Sequence, residues 1–97
     1  MRYEIILSPE AVEDLKQLDA HIRAKVKDLI DVHLRHKPTK TSKSRIKRLR
    51  GLRHPQYRLR IAEIRVFYDV EESRVEILAI ISKSKAMEWL EKAGEKI

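Results

Sequence analysis

The chain has 97 residues, with 22 Lys or Arg against 15 Asp or Glu and a formal net charge of +7. That length predicts one domain spanning 1–97, with room for one modest core and none for a two-lobed enzyme with a deep interdomain cleft. The absence of cysteine excludes a disulfide framework, a thiolate nucleophile and a cysteine-ligated zinc.

The first residues, 1–7, hold only a short apolar run, too short for a secretory leader. No stretch approaches the roughly 18 apolar residues of a membrane span. The expectation is a soluble, cytoplasmic protein with no membrane partner. Arg2 to Leu7 reads as a first strand. Ser8-Pro9-Glu10 starts a helix, with Ser8 as cap, Pro9 at the first helical position and Glu10 at the positive end of the dipole. Ala11, Val12, Leu15 and Leu18 form its apolar stripe. Asp19 is placed to cap a second helix, whose stripe is Ile22, Val26, Leu29, Ile30 and His33. The two helices read as a hairpin. The pattern ends at His36-Lys37-Pro38, and a polar loop follows to Ser44. A brief helical turn is expected between Ser42 and Leu49, and Gly51 and Pro55 punctuate what comes next.

Tyr57, Leu59 and Ile61 alternate with Arg58 and Arg60, which predicts a strand with its arginines on one face. Ala62-Glu63 separates it from a second strand, in which Arg65, Phe67 and Asp69 alternate with Ile64, Val66, Tyr68 and Val70. Glu71-Glu72-Ser73 is a polar turn. Val75 to Ile81 is apolar apart from Glu76, as suits a central strand covered on both faces. Lys83 to Lys96 reads as a closing helix carrying Ala86, Trp89 and Leu90. The fold class is therefore α+β. A small antiparallel sheet, the N-terminal strand plus a three-strand meander, is packed by the helical hairpin and followed by a C-terminal helix.

The charge is concentrated in one segment. Residues 32–62 hold 11 Lys or Arg and no Asp or Glu, whereas residues 1–31 and 63–97 are each at −2. Such a block attracts a polyanion, and a nucleic acid is favoured over a merely solvated face. An acidic protein partner is attracted by the same charge. Arg58, Arg60 and Arg65 are expected on the partly open face of the sheet, with the Arg48–Arg53 loop nearby.

The histidines and carboxylates suggest little chemistry of their own. His33 lies on an apolar stripe and reads as packing. His21 and His36 sit near helix ends and read as solvated. His54 precedes the arginine strand and is counted among nucleic-acid contacts rather than as a base. No His or carboxylate spacing suggests a metal site, so neither metal nor cofactor is expected. With two glycines there is no glycine-rich phosphate loop.

The run YRLRIAEIRVFYD (57–69), then VEILAIISKSK (75–85), resembles the RelE/ParE toxin superfamily. So do RLRG (48–51) and the opening strand followed by SPEAVEDLKQL (8–18). The likeness covers nearly the whole chain. It implies a RelE-like fold and a toxin of a type II toxin–antitoxin pair. In RelE-like members the toxin is a ribosome-dependent endoribonuclease that cuts messenger RNA and so inhibits translation. ParE-like members share the fold and poison gyrase. An inactive module that binds nucleic acid or antitoxin is the further alternative. The implied partners are a RelB-like antitoxin whose acidic segment wraps the toxin, the ribosome with its messenger RNA, and operator DNA only through the antitoxin.

The matching positions are Arg58 and Arg60, where RNase members often carry lysine, Arg65, typically arginine, and Lys85, where a further arginine is common. RNase members also often carry a tyrosine in the C-terminal segment. This chain has none after Tyr68, and Trp89 is the only aromatic there. Arg65 is the expected stabiliser of transition-state charge, and Arg58 and Arg60, counted with it as catalytic, the holders of the scissile or flanking phosphates. Lys85, with Lys83 in reserve, is expected to move protons if crowding by the arginines depresses its pKa. Lys47, Arg48, Arg50, Arg53, Lys83 and His54 are the expected further RNA contacts.

Overall fold

The computed structural model describes residues 2–97, and Met1 at the head of the short apolar run lies outside them. Ten elements follow in order: β1 (Glu4–Leu7), α1 (Pro9–Lys16), α2 (Ala20–Leu34), β2 (Ile46–Arg48), β3 (Leu52–His54), β4 (Tyr57–Ile61), β5 (Ile64–Glu71), β6 (Arg74–Ser82), α3 (Lys83–Ala93) and β7 (Glu95–Lys96). The main sheet has the order β1-β6-β5-β4-β2, and β3 pairs with β7 in a separate two-stranded sheet.

α1 begins where the sequence places it. The Ala11 backbone N–H donates to Ser8 Oγ at 3.0 Å, satisfying one free donor of the first turn. Ser8 Oγ in turn donates to the Leu78 carbonyl at 3.2 Å, and Asp14 Oδ2 accepts the Ile80 N–H at 3.0 Å. These bonds fasten α1 to β6 at a bulge, where Phe67 pairs with Ala79 and Tyr68 with Ile77, leaving Leu78 unpaired. The bulge shifts the alternation by one residue. Val75 and Ile77 before it, and Ile80 after it, therefore all reach the same core. This is why the sequence there is nearly continuously apolar.

Val26, Ile30 and Leu34 of α2 and Ala11 of α1 close over Leu59, Ile61, Val66, Tyr68 and Ile80. The Tyr68 ring is stacked on Tyr57 with centroids 5.5 Å apart, and its hydroxyl donates to the Pro38 carbonyl at 2.6 Å. Burial, and then Tyr57, push the Tyr68 phenol well above the ordinary tyrosine range. Tyr68 thus anchors the polar loop after α2 to the core. Tyr68→Phe leaves the buried Pro38 carbonyl without its donor and is expected to cost about 1–3 kcal/mol, read as a lower urea midpoint with unchanged slope.

Five expectations are corrected here. β1 runs parallel to β6, from Glu4 opposite Arg74 to Leu7 opposite Ile77; the two helices carry the chain from β1 at one edge to β2 at the other, so no short turn ties β1 to its neighbour and imposes an antiparallel pairing. The segment after Ser44 holds a strand, β2, antiparallel to β4, in place of a helical turn. The last helix ends at Ala93, and Glu95–Lys96 turn back to pair with β3. Asp19 occupies the cap position of α2 without a side-chain cap bond. Val12 lies outside the core, at 38% exposure. The two-residue turns at Ala62 (φ 50°) and Glu72 (φ 53°) use left-handed backbone, which glycine usually supplies, so they are weakly signalled by their residues.

Candidate nucleic-acid interface

The arginine face is built by register. Arg60 lies directly opposite Arg65 across the β4–β5 pair, and Arg58 lies opposite Phe67. On β2, Lys47 lies opposite Arg58, so it joins the same face. The opposite face of β4 and β5 is spent on the core through Leu59, Ile61, Val66 and Tyr68. Three neighbouring strands, β2, β4 and β5, thus put three guanidiniums and an ammonium on the side away from the helical hairpin. Like charges directly opposite each other destabilise a strand pair, so stability does not account for their placement.

The three arginines differ in how firmly they are held. Arg65 is 7% exposed, and its Nη1 donates to the Ala62 carbonyl at 2.8 Å and the Ile64 carbonyl at 3.1 Å. Those bonds fix the guanidinium against the hairpin turn, one pair from the end of the ladder rather than mid-strand. Burial, then Arg60, hold its pKa below the arginine range, with Glu63 opposing. Arg58 is half-buried, and its Nε is enclosed without a hydrogen-bond partner. Burial, then Arg65, then Arg60 lower its pKa. Arg60 is exposed. No ion pair among the described residues reaches any of the three. Unpaired, partly desolvated cations held on stiff backbone suit a phosphate, which a guanidinium grips with two N–H donors.

α3 borders this face. Trp89 stacks on Phe67 at 5.0 Å between centroids, and the Lys83 backbone N–H donates to the Glu63 carbonyl at 2.7 Å. Trp89 therefore covers the middle of the sheet, and Lys83 opens the helix beside the hairpin turn. Lys85 is exposed and shares a groove with Ile81, Glu88, Trp89 and Lys92. Ile81 is the β6 neighbour of Arg65. Lys85 thus stands one strand from the arginines, and the charged neighbours in its own groove are Glu88 and Lys92.

The other expected RNA contacts are not gathered here. Arg48 lies over the Tyr57 ring at 5.3 Å and donates to the Gln56 carbonyl at 2.7 Å, so it braces the strand. Arg50 is exposed beside the β2–β3 connection, in a groove with Lys47, Arg48 and Leu49. Arg53 faces Glu95 at 3.8 Å. His54 Nδ1 meets Asp69 Oδ2 at 2.7 Å, while Asp69 Oδ1 accepts the Gln56 N–H at 2.8 Å. His54 shares its groove with Asp69, Glu71, Glu76 and Glu95, an acidic setting for a residue expected to meet phosphate. The sequence reading missed this pairing because the partner lies 15 residues away on another strand.

His33 is half-buried. It lines a groove at the end of α2 instead of being sealed in the core. Among the described residues no group of three His, Cys, Asp or Glu is placed to hold a metal ion. No helix among them is long and apolar enough to cross a membrane.

A model of the ParE toxin of type II toxin–antitoxin systems, parDE, matches residues 5–87. Among solved structures the chain is similar to the archaeal RelE–RelB complex from Pyrococcus horikoshii OT3. The TM-score is 0.71 and the identity 23%, covering 88% of this chain and 99% of that one. It is also similar to a mutant of the E. coli toxin RelE in the free state, with TM-score 0.69 and 22% identity over 96% of this chain and 95% of that one. The YoeB dimer from Staphylococcus aureus gives TM-score 0.60 and 25% identity over 81% and 94%. A comparison with curated proteins gave no match. The α+β architecture expected from the sequence is the one these structures share.

Proposed function

Because this chain belongs to the ParE toxin family of type II toxin–antitoxin systems, we propose that it is a toxin that cuts messenger RNA in the ribosome without a metal ion. The observation that carries this reading is the arginine face: Arg58, Arg60 and Arg65 in adjacent register, none paired with a carboxylate. The likeness of the fold to RelE and YoeB supports it.

In the proposed reaction the substrate's own 2′-hydroxyl attacks the neighbouring phosphorus and the 5′-oxygen leaves. The products are a 2′,3′-cyclic phosphate and a 5′-hydroxyl. Negative charge gathers on the phosphoryl oxygens in the transition state. Arg65, fixed by the turn carbonyls, is preorganised to receive that charge. Arg58 and Arg60 hold the phosphates. The guanidiniums stay protonated, so proton transfer needs another group. The proposal gives Lys85, with Lys83 beside the hairpin turn, the donation of a proton to the departing 5′-oxygen; water takes the proton that the 2′-hydroxyl loses as its bond to phosphorus forms, and solvent returns a proton to the lysine afterwards. The ribosome aligns the 2′-oxygen with phosphorus.

A cognate antitoxin of RelB type is the proposed partner. Its acidic segment would cover the arginine face, and operator DNA would be met only through it. The match to the ParE family model favours a second reading, in which the same face binds gyrase and cleaves nothing.

One experiment separates the two. A brief induction is followed by primer extension on a reporter message, with translation on and off, beside a gyrase supercoiling assay. The expected result is cuts that require translation with gyrase unimpaired. An intact message with blocked supercoiling would reject RNA cleavage.

A further inference from the structure

The basic block from 32 to 62 carries more cations than the arginine face uses. At the end of α2, His33, His36, Lys37, Lys40 and Arg45 line a groove of about 400 Å³ that no carboxylate enters. Its apolar wall is Val32 and Ile46. No ion pair among the described residues engages Lys37, Lys40 or Arg45. Ser42 Oγ accepts the N–H groups of Arg45 at 3.0 Å and Ile46 at 3.4 Å, which leaves the hydroxyl proton free to be donated outward.

The groove adjoins the arginine face at one point. The Arg60 N–H donates to the Arg45 carbonyl at 2.9 Å, and Arg45 Nη1 donates to the Arg60 carbonyl at 3.3 Å. Ile46 turns its side chain to the core, whereas its neighbour Lys47 lies on the arginine face, so the two basic surfaces meet around the β2 edge.

We propose that this groove binds the phosphodiester backbone of RNA, as a second contact surface continuous with the arginine face. The inference rests on the reading of the chain as an RNA-acting toxin and extends it to a site outside the proposed chemistry. An acidic protein would need apolar anchors as well as charge; here Val32 is the one exposed apolar residue of the lining, Ile46 being spent on the core, whereas Lys37, Lys40 and Arg45 are all exposed. A bound phosphate also brings a proton-linked effect. Burial, then Arg45, hold the His33 imidazole below the ordinary histidine range. His36, Lys37 and Lys40 add no carboxylate to oppose them. An anion in the groove favours imidazolium, so RNA affinity is expected to rise as pH falls through and below about 6.5, where an imidazole held below its ordinary range takes up its proton.

The test is fluorescence anisotropy of a short labelled single-stranded RNA with the full chain, between about 50 and 200 mM salt. Lys37→Gln/Lys40→Gln changes two exposed side chains and is checked for folding by circular dichroism. It is expected to weaken binding several-fold. It should also flatten the log–log salt dependence by about 1.4, or about 0.7 for each lost phosphate contact. His33→Gln should shrink the gain in affinity on acidification. Unchanged affinity and salt slope in the lysine variant would overturn the proposal. So would a loss confined to an acidic polyglutamate peptide with RNA binding intact, which would assign the groove to a protein. If the wild type cuts no message yet its RNA binding depends on Lys37 and Lys40, the catalytic reading fails and the groove stands.

Discussion

Arg65→Ala is expected to lower message cleavage by about 10²–10³-fold, the usual cost of removing one preorganised donor from a developing oxyanion. Arg65 is singled out because it alone of the three is both nearly enclosed and fixed, with Nη1 tied to the Ala62 and Ile64 carbonyls. A donor already oriented costs nothing to reorganise when charge develops. Arg60 is exposed and free to move, so its loss should weaken RNA binding more than turnover. Arg65 also caps a hairpin turn, and the alanine variant therefore loses some stability. Arg65→Lys separates the two effects, because it keeps a cation while losing the second N–H of the fork. It is expected to recover part of the binding and little of the rate. Circular dichroism and primer extension on the same preparations decide the matter. A folded Arg65→Ala protein that still cuts at the wild-type rate would remove Arg65 from the chemistry.

The arginine face was legible because it depends on alternation, which is local. Tyr57 to Ile61 and Ile64 to Val70 show period two, and period two alone sends Arg58, Arg60 and Arg65 to one side. The capped start of α1 was legible for the same reason, since Ser8 and Pro9 act within one turn. β2, β3 and β7 were not. Each is two or three residues long and rich in Lys, Arg, Glu or His, which carry no strand signal. Their pairing is decided by partners far along the chain, as when Glu95–Lys96 find β3. Side-chain pairings escaped on the same ground. Arg48, Arg53 and His54 read as free to contact RNA, yet their structural partners are Gln56 and Tyr57, Glu95 and Asp69. Net charge locates a basic segment, and only register and contacts show which of its cations are unspent.

Phe67→Ala is expected to be the most destabilising change on the arginine side of the sheet. Phe67 is 1% exposed and lies in the middle strand between Arg58 on β4 and Ala79 on β6. Trp89 stacks over it, and α3 has no fully buried residue of its own. That one stack is thus a large part of what seats the helix. Truncation removes a buried ring and leaves a cavity, at a cost of about 3–5 kcal/mol. For a domain of this size the melting temperature should fall by more than about 10 °C. Trp89→Ala removes the lid and keeps the floor, so it should cost less and loosen α3 selectively, with faster amide exchange in residues 83–93 than in β5. The two variants also test how the site is held. If Trp89→Ala leaves the sheet intact but cleavage falls, α3 positions Lys83 and Lys85 for their part. If cleavage is unchanged while α3 exchanges freely, the arginine face acts alone, and the lysines are not required.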